Sequence, residues 1–236
     1  MNITVLCGGT STERDVSITS GSCVCSALRS KGHRAVLADV FCGVPEENSE
    51  DLFPEVYDVE KERDKIRSMT PFVEEELKKP DRPFFGPGVM EICRKSDIVF
   101  LALHGENGEN GKVQAAFDLW KIRYTGTGHL GSAAAMDKGI TKVLLREAFV
   151  PTPHGVVLKK DHYLPDIAAY TMKFPVVVKP CNGGSSVGVY IVHDQASYEQ
   201  ALKEAFKLED EVIVEDYIKV REFSVSIIDG KALPIL

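Results

Sequence analysis

Short apolar runs and amphipathic stretches take turns along this chain. Residues 3–7 are apolar and end in Gly8-Gly9, which predicts a strand running into a tight loop. Val16, Cys23, Val24, Ala27 and Leu28 then recur on one helical face, and Gly32 follows Arg29 and Lys31 as a stop. Residues 35–40 predict a second strand. A strand, helix, strand order of this kind predicts a parallel sheet. Residues 97–103 predict a third buried strand, which runs into His104-Gly105-Glu106-Asn107-Gly108. A helix from Lys112 carries Val113, Ala116, Phe117 and Trp120 on one face, and residues 122–125 read as a further strand. Residues 41–92 fit neither period well. They mix both charge signs and are broken by Pro80, Pro83, Gly86, Pro87 and Gly88. The expectation there is an exposed insertion with one helix and no chemistry.

The second half repeats the alternation with different units. Asp137 can cap a helix with Ile140, Val143, Leu144 and Ala148 on one stripe, closed by Pro151 and Pro153. Extended structure resumes at residues 155–158. Val176-Val177-Val178 predicts a short strand that Lys179 and Pro180 end, because proline cannot donate to a ladder. A glycine loop over residues 181–186 follows, then a strand over 187–192. Asp194 can cap a helix that presents Tyr198, Ala201, Leu202, Ala205 and Phe206 on one side. Residues 211–216 predict a strand. Phe223, Val225 and Ile227 alternate with serines, which predicts a half-buried one, and Asp229-Gly230 is a hairpin turn signal. A boundary between residues 128 and 137 divides the chain into domains 1–130 and 131–236.

With 236 residues the chain can bury two ordinary cores. Its formal net charge of −7 argues against a general nucleic-acid binder and leaves room for a local basic pocket. No apolar run reaches membrane-spanning length. None of the six cysteines forms a Cys-x-x-Cys pair, so the expectation is reduced thiols in a cytoplasmic protein, with no zinc site. Cys181, inside the glycine loop, is either a reactive thiol or a small residue that fits the turn.

The candidate chemistry sits at strand ends. The loop after the first strand lacks the Gly-x-Gly-x-x-Gly spacing, so Asp39 has no claim to a ribose. Glu13, near a helix start, either compensates the helix dipole or holds a cationic ligand group. His104 follows the third strand, and the carboxyl ends of parallel strands carry ligands. Lys138 opposes the dipole of the helix it opens, which points to an anionic partner. Lys179 beside Gly183-Gly184-Ser185-Ser186 suits a polyphosphate, wrapped by backbone N–H groups and met by a point charge. A plain Gly/Ser-rich hairpin is the alternative.

The ordered set of Gly8–Ser17, His104–Gly111, Tyr124–Gly128, Met136-Asp137-Lys138, Val178-Lys179-Pro180, Gly184–Gly188, Val214-Glu215 and Glu222-Phe223 resembles the D-alanine–D-alanine ligase family. The resemblance runs from residue 3 to the end. It implies a Rossmann-like parallel-sheet N-terminal domain and an α+β ATP-grasp subdomain, an α/β protein whose final ATP-grasp lobe is missing. It implies ATP-dependent joining of two D-alanines through an acyl phosphate, for peptidoglycan precursors. D-serine or D-lactate as second substrate is one alternative, and a binding module without turnover is another. By resemblance, Glu13 meets the first D-alanine's ammonium, His104 lines the same subsite, and Ser185 links Glu13 to the glycine loop. Lys138, Lys179, Gly184, Ser185 and Ser186 meet the ATP phosphates. Glu215 accepts from the adenine amine and Glu222 from the ribose. Asp216 stands where relatives often carry lysine. The Mg2+ ligands are expected beyond residue 236, with none inside the chain. The expectation is therefore a truncated chain, inactive alone, from a cytoplasmic homodimer with no nucleic-acid or membrane partner.

Overall fold

The computed structural model describes residues 1–44, 51–184 and 186–235. They form two compact units, Met1–Thr141 and Lys142–Leu236.

The first unit is built on a parallel sheet of β1 (Asn2–Cys7), β2 (Arg34–Asp39) and β3 (Ile98–Leu101), in the order β2-β1-β3. The expected fourth strand is a single parallel bridge, Val99 to Tyr124. Side chains alternate across β1. Ile3, Val5 and Cys7 pack on one face with Ala35, Leu37 and Ala102, while Leu6 packs on the other with Val36, Val99 and Phe117. Both faces are covered, which is why these strands read as near-continuous apolar runs.

Helix α1 (Arg14–Ser30) buries Arg14, Ser17, Ile18, Gly21, Ser22 and Cys25. This corrects the expected face: Val16 and Cys23 are exposed and Val24 and Leu28 half-buried. The reason is the closeness of helix to sheet. A Cβ on Gly21 would lie 2.8 Å from the Cys7 Cβ, so small residues are what fit. The helix ends at Gly32, with φ +82°, as expected.

Residues 41–92 also depart from expectation. They hold three helices, α2 (Val59–Ser68), α3 (Thr70–Glu76) and α4 (Val89–Lys95). Phe53, Val73, Val89, Ile92 and Cys93 are buried in the core. The Pro/Gly breaks are turns between packed pieces, not signs of an exposed loop. On α5 (Lys112–Trp120), Val113 and Phe117 are buried, but Trp120 is 53% exposed, with the Arg94 guanidinium carbon 5.3 Å from its ring centroid. The expected boundary region folds as α6 (His129–Met136). Asp137 caps α7 (Lys138–Glu147), accepting from the Ile140 N–H at 2.9 Å. The apolar stripe on α7 is about half exposed at Ile140, Val143 and Leu144.

The second unit is an antiparallel sheet in the order β4-β7-β5-β6, made of β4 (Gly155–Lys159), β5 (Val176–Pro180), β6 (Tyr190–Val192) and β7 (Glu211–Asp216). Helix α8 (Gln195–Ala205) packs on one face through Tyr198, Ala201, Leu202 and Ala205, against Val176, Val178, Val212 and Val214. Asp194 and Ser197 form a reciprocal capping box at its start. Residues 187 and 188 are turn and residue 189 is irregular, so β6 is shorter than expected. The expected half-buried strand at 223–227 is also corrected: only β8 (Ile227–Ile228) and β9 (Lys231–Ala232) pair, and Phe223, Val225 and Ile227 are exposed. Asp229-Gly230 makes their turn, with φ +49° and +73°.

No disulfide joins the six cysteines. Cys7, Cys25, Cys93 and Cys181 are buried, Cys42 is half-buried and Cys23 is exposed. Burial pushes the Cys25, Cys42 and Cys93 thiols up to about 12.

Candidate functional site

Parallel pairing of residues 3–6 with 98–101 puts the carboxyl ends of β1 and β3 side by side. Ser17 of α1 joins them. Its hydroxyl accepts from the Gly8 N–H at 3.0 Å and donates to the Ala102 carbonyl at 2.7 Å. Glu13 is the N-cap residue of α1. Ser11 Oγ accepts from the Glu13 N–H at 3.2 Å and donates to the His104 carbonyl at 2.7 Å. The Glu13 carboxylate lies against Gly105, where an added Cβ would come within 3.1 Å of Oε2. The two loops that carry Glu13 and His104 are thus stitched together by backbone groups. His104 Nδ1 lies 4.0 Å from Glu109 Oε1, a second carboxylate that the sequence reading passed over.

Under these loops sits a buried ion pair. Arg14 Nη2 donates to Asp39 Oδ2 at 2.5 Å, with both side chains under a tenth exposed. Arg14 also donates to the Gly9 carbonyl at 2.9 Å, the Ile66 carbonyl at 3.3 Å and Thr70 Oγ1 at 3.3 Å. Asp39 Oδ1 accepts from the Phe41 and Cys42 N–H groups at 2.9 and 3.0 Å. Asp39 is therefore a structural partner, and the helices of residues 41–92 help hold the loop after β1. That is a role the sequence reading did not give them.

In the second unit the informative face of the sheet is the one away from α8. Val177 pairs with Glu215 and Lys179 with Ile213, so Lys179 and Glu215 are diagonal neighbours on one face. Lys179 Nζ lies 2.5 Å from Glu215 Oε2, and Lys142 Nζ of α7 lies 2.7 Å from Oε1. Burial raises the Glu215 carboxyl, but the hydrogen bonds and charge of the two lysines outweigh it and hold the group below the usual glutamate range. Lys142 was not singled out from sequence. A lysine on an amphipathic helix reads as solvated, and its position four residues after Lys138 was the only available hint.

The glycine loop leaves β5 at Pro180. Its base is tied by the Cys181 N–H to the Glu211 carbonyl at 3.1 Å and by the Asn182 N–H to Glu209 Oε2 at 2.9 Å. Gly183 and Ser186 have φ +87° and +59°. Gly184 is exposed, with open space where a Cβ would be, and Ser186 is exposed too. Ser185 lies outside the described residues. Cys181 is buried, which favours the turn-fitting reading over a reactive thiol. Lys138 is the first residue of α7, and Glu222 is exposed in segment 217–226, which has no regular secondary structure. Among the described residues, no three His, Cys, Asp or Glu side chains gather to hold a metal ion. No helix among them is long and apolar enough to cross a membrane.

Two family profiles match the chain: the D-ala D-ala ligase N-terminus over residues 2–127 and the D-ala D-ala ligase C-terminus over residues 145–236. The D-alanine–D-alanine ligase of Pediococcus pentosaceus is 43% identical over 241 residues, an alignment that takes in 100% of this chain and 68% of that protein. The enzyme of the same name from Lacticaseibacillus casei is 42% identical, over 98% of this chain and 65% of its own length. Among solved structures, the D-alanine–D-alanine ligase of Bacillus anthracis superposes with a TM-score of 0.72 at 32% identity, covering 100% of this chain and 63% of the other. The same enzyme complexed with ATP superposes with a TM-score of 0.71.

Proposed function

The chain belongs to the D-alanine–D-alanine ligase family, and from that premise we propose that the whole protein joins two D-alanines with ATP. The observation that carries this is the Lys179–Glu215 pair on the face of the second sheet away from α8. It sets a cation for phosphate and an acceptor for an amine side by side, beside a glycine loop whose apex is open. ATP offers both partners at once.

In this reading Lys179 and Lys138 meet ATP phosphates and offset the charge that develops during transfer. The exposed backbone at Gly184 and Ser186 wraps phosphate oxygens, and Ser185 belongs to the same loop. Glu215 accepts from the adenine amine and Glu222 from the ribose. Glu13 takes the ammonium of the first D-alanine through a charge-assisted hydrogen bond, with His104 beside it. The first carboxylate takes the γ-phosphoryl group and becomes an acyl phosphate. The amine of the second D-alanine attacks it, and phosphate leaves as the peptide bond forms. Magnesium bound together with ATP would supply neutralisation of the phosphate charge.

The relatives named above share one name, which favours D-alanine as second substrate over D-serine or D-lactate. The proposal places the protein in the cytoplasm, in keeping with six cysteines that form no disulfide, and as a homodimer, as the resemblance implies. The test is phosphate release from ATP by the whole protein, with the dipeptide identified by mass spectrometry. Release that needs D-alanine and yields D-alanyl-D-alanine is the expected result. Release indifferent to D-alanine, or a depsipeptide made from D-lactate at equal rate, overturns the reading.

A further inference from the structure

We propose that Lys142 is a positioning residue for nucleotide recognition: it fixes the Glu215 carboxylate while Lys179 leaves that carboxylate for phosphate. The inference rests on the reading of Glu215 as the acceptor for adenine.

The two lysines around Glu215 differ in what else they touch. An ammonium has three protons to donate. Lys142 Nζ spends them on Glu215 Oε1 at 2.7 Å, Thr152 Oγ1 at 3.2 Å and the Pro153 carbonyl. It has no donor left for a phosphate. Among the described residues Lys179 Nζ reaches one partner, Glu215 Oε2 at 2.5 Å, and its side chain is 23% exposed against 16% for Lys142. Lys179 can turn to a polyanion by giving up one contact, whereas Lys142 would give up three.

Space is reserved for this arrangement. Gly155 faces Glu215 directly in the β4–β7 register. A Cβ at Gly155 would lie 2.7 Å from the Val214 carbonyl oxygen, 2.9 Å from Glu215 Cγ and 3.1 Å from Lys142 Cε. The glycine is there for room.

Glu215 needs the second cation for a physical reason. Its side chain is 12% exposed, and a carboxylate in such a place is costly without a counter-ion. Once phosphates draw Lys179 away, Lys142 is what keeps Glu215 ionised and aimed. Adenine presents an amine to that carboxylate, while guanine presents a carbonyl oxygen that a carboxylate repels. Lys142 therefore acts on base selectivity more than on phosphate affinity.

The test compares ATP and GTP affinities of the whole protein by titration calorimetry, with thermal unfolding recorded for every variant. Lys142→Met should weaken ATP binding roughly tenfold and GTP binding much less, so that the ATP/GTP ratio falls. Lys142→Arg, which keeps the charge, should recover most of the ratio. Gly155→Ala keeps both charges and crowds them, and it should lower the ratio in the same direction even if Lys142→Met does not fold. Equal loss for both nucleotides, or no loss, in Lys142→Met overturns the inference, as does an unchanged ratio in Gly155→Ala if Lys142→Met is unfolded. Glu215→Ala separates the two claims. A ratio untouched there defeats the adenine reading itself. A ratio that collapses there but survives Lys142→Met defeats the role of Lys142 alone.

Discussion

Glu13 and Glu215 are both carboxylates near strand ends, yet their surroundings are built differently. The loop that carries Glu13 is held by neutral backbone bonds through Ser11 and Ser17, over the buried Arg14–Asp39 pair. Glu215 is held by two lysines on a sheet face, one of them partly open to solvent. Backbone bonds and a buried ion pair cannot be traded for ligand contacts without loosening the fold. A lysine on a sheet face can. Under the proposed function, the first arrangement would suit a rigid subsite for a small zwitterion, and the second a polyanion that draws Lys179 from Glu215.

The sharpest way to break the comparison is to attack the buried pair. Asp39→Ala leaves Arg14 charged and unpaired in a site that is 5% exposed. Removing one partner of such a pair costs roughly 3–5 kcal/mol. Urea unfolding should show a loss of that order, and an unchanged midpoint would mean the backbone bonds hold the loop without it. Lys179→Ala should behave in the opposite way. Lys142 still neutralises Glu215, so stability should fall by less than in Asp39→Ala, while ATP affinity falls by roughly tenfold or more. Lys179→Arg should not fully restore binding, because a planar fork does not replace a point charge. An alanine variant with wild-type ATP affinity would reduce Lys179 to a sheet lysine.

The smallest effect is on pH dependence. The two lysines hold the Glu215 carboxyl below its ordinary value in the folded protein. A lowered folded value contributes stability that is complete above the unfolded glutamate value, about 4.3, and is lost as pH falls through the folded one. Thermal unfolding of Glu215→Gln should therefore fall less steeply than wild type between about pH 5 and pH 3. Parallel acid limbs for the two proteins would show that Glu215 carries no such linkage.

Period and punctuation made much of this fold legible. The apolar runs at β1, β2 and β3, the six residues of β7 and the capped helix α8 with Tyr198 and Leu202 inward all follow from spacing. The neighbourhood of Glu13 and His104 followed from their matching places after parallel strands. What spacing hid was chosen by closeness and charge. The buried face of α1 is small and partly polar because the helix nearly touches β1. The sequence did not pair Arg14 with Asp39 or Lys142 with Glu215, since nothing local says that a partner 25 or 73 positions along the chain will neutralise them. Residues 41–92 looked like an insertion because their turns are rich in proline and glycine, and their apolar residues meet only in three dimensions.

The thiols offer a practical handle. Maleimides and disulfide reagents attack the thiolate, so a thiol that is buried, or pushed up to about 12 as at Cys25, Cys42 and Cys93, presents almost nothing to them near neutral pH. Cys23 faces solvent on the outer side of α1. A fluorophore offered to the native protein in limiting amount should settle there. It would give a single optical reporter on the helix that begins at Glu13, with no cysteine engineered in or out.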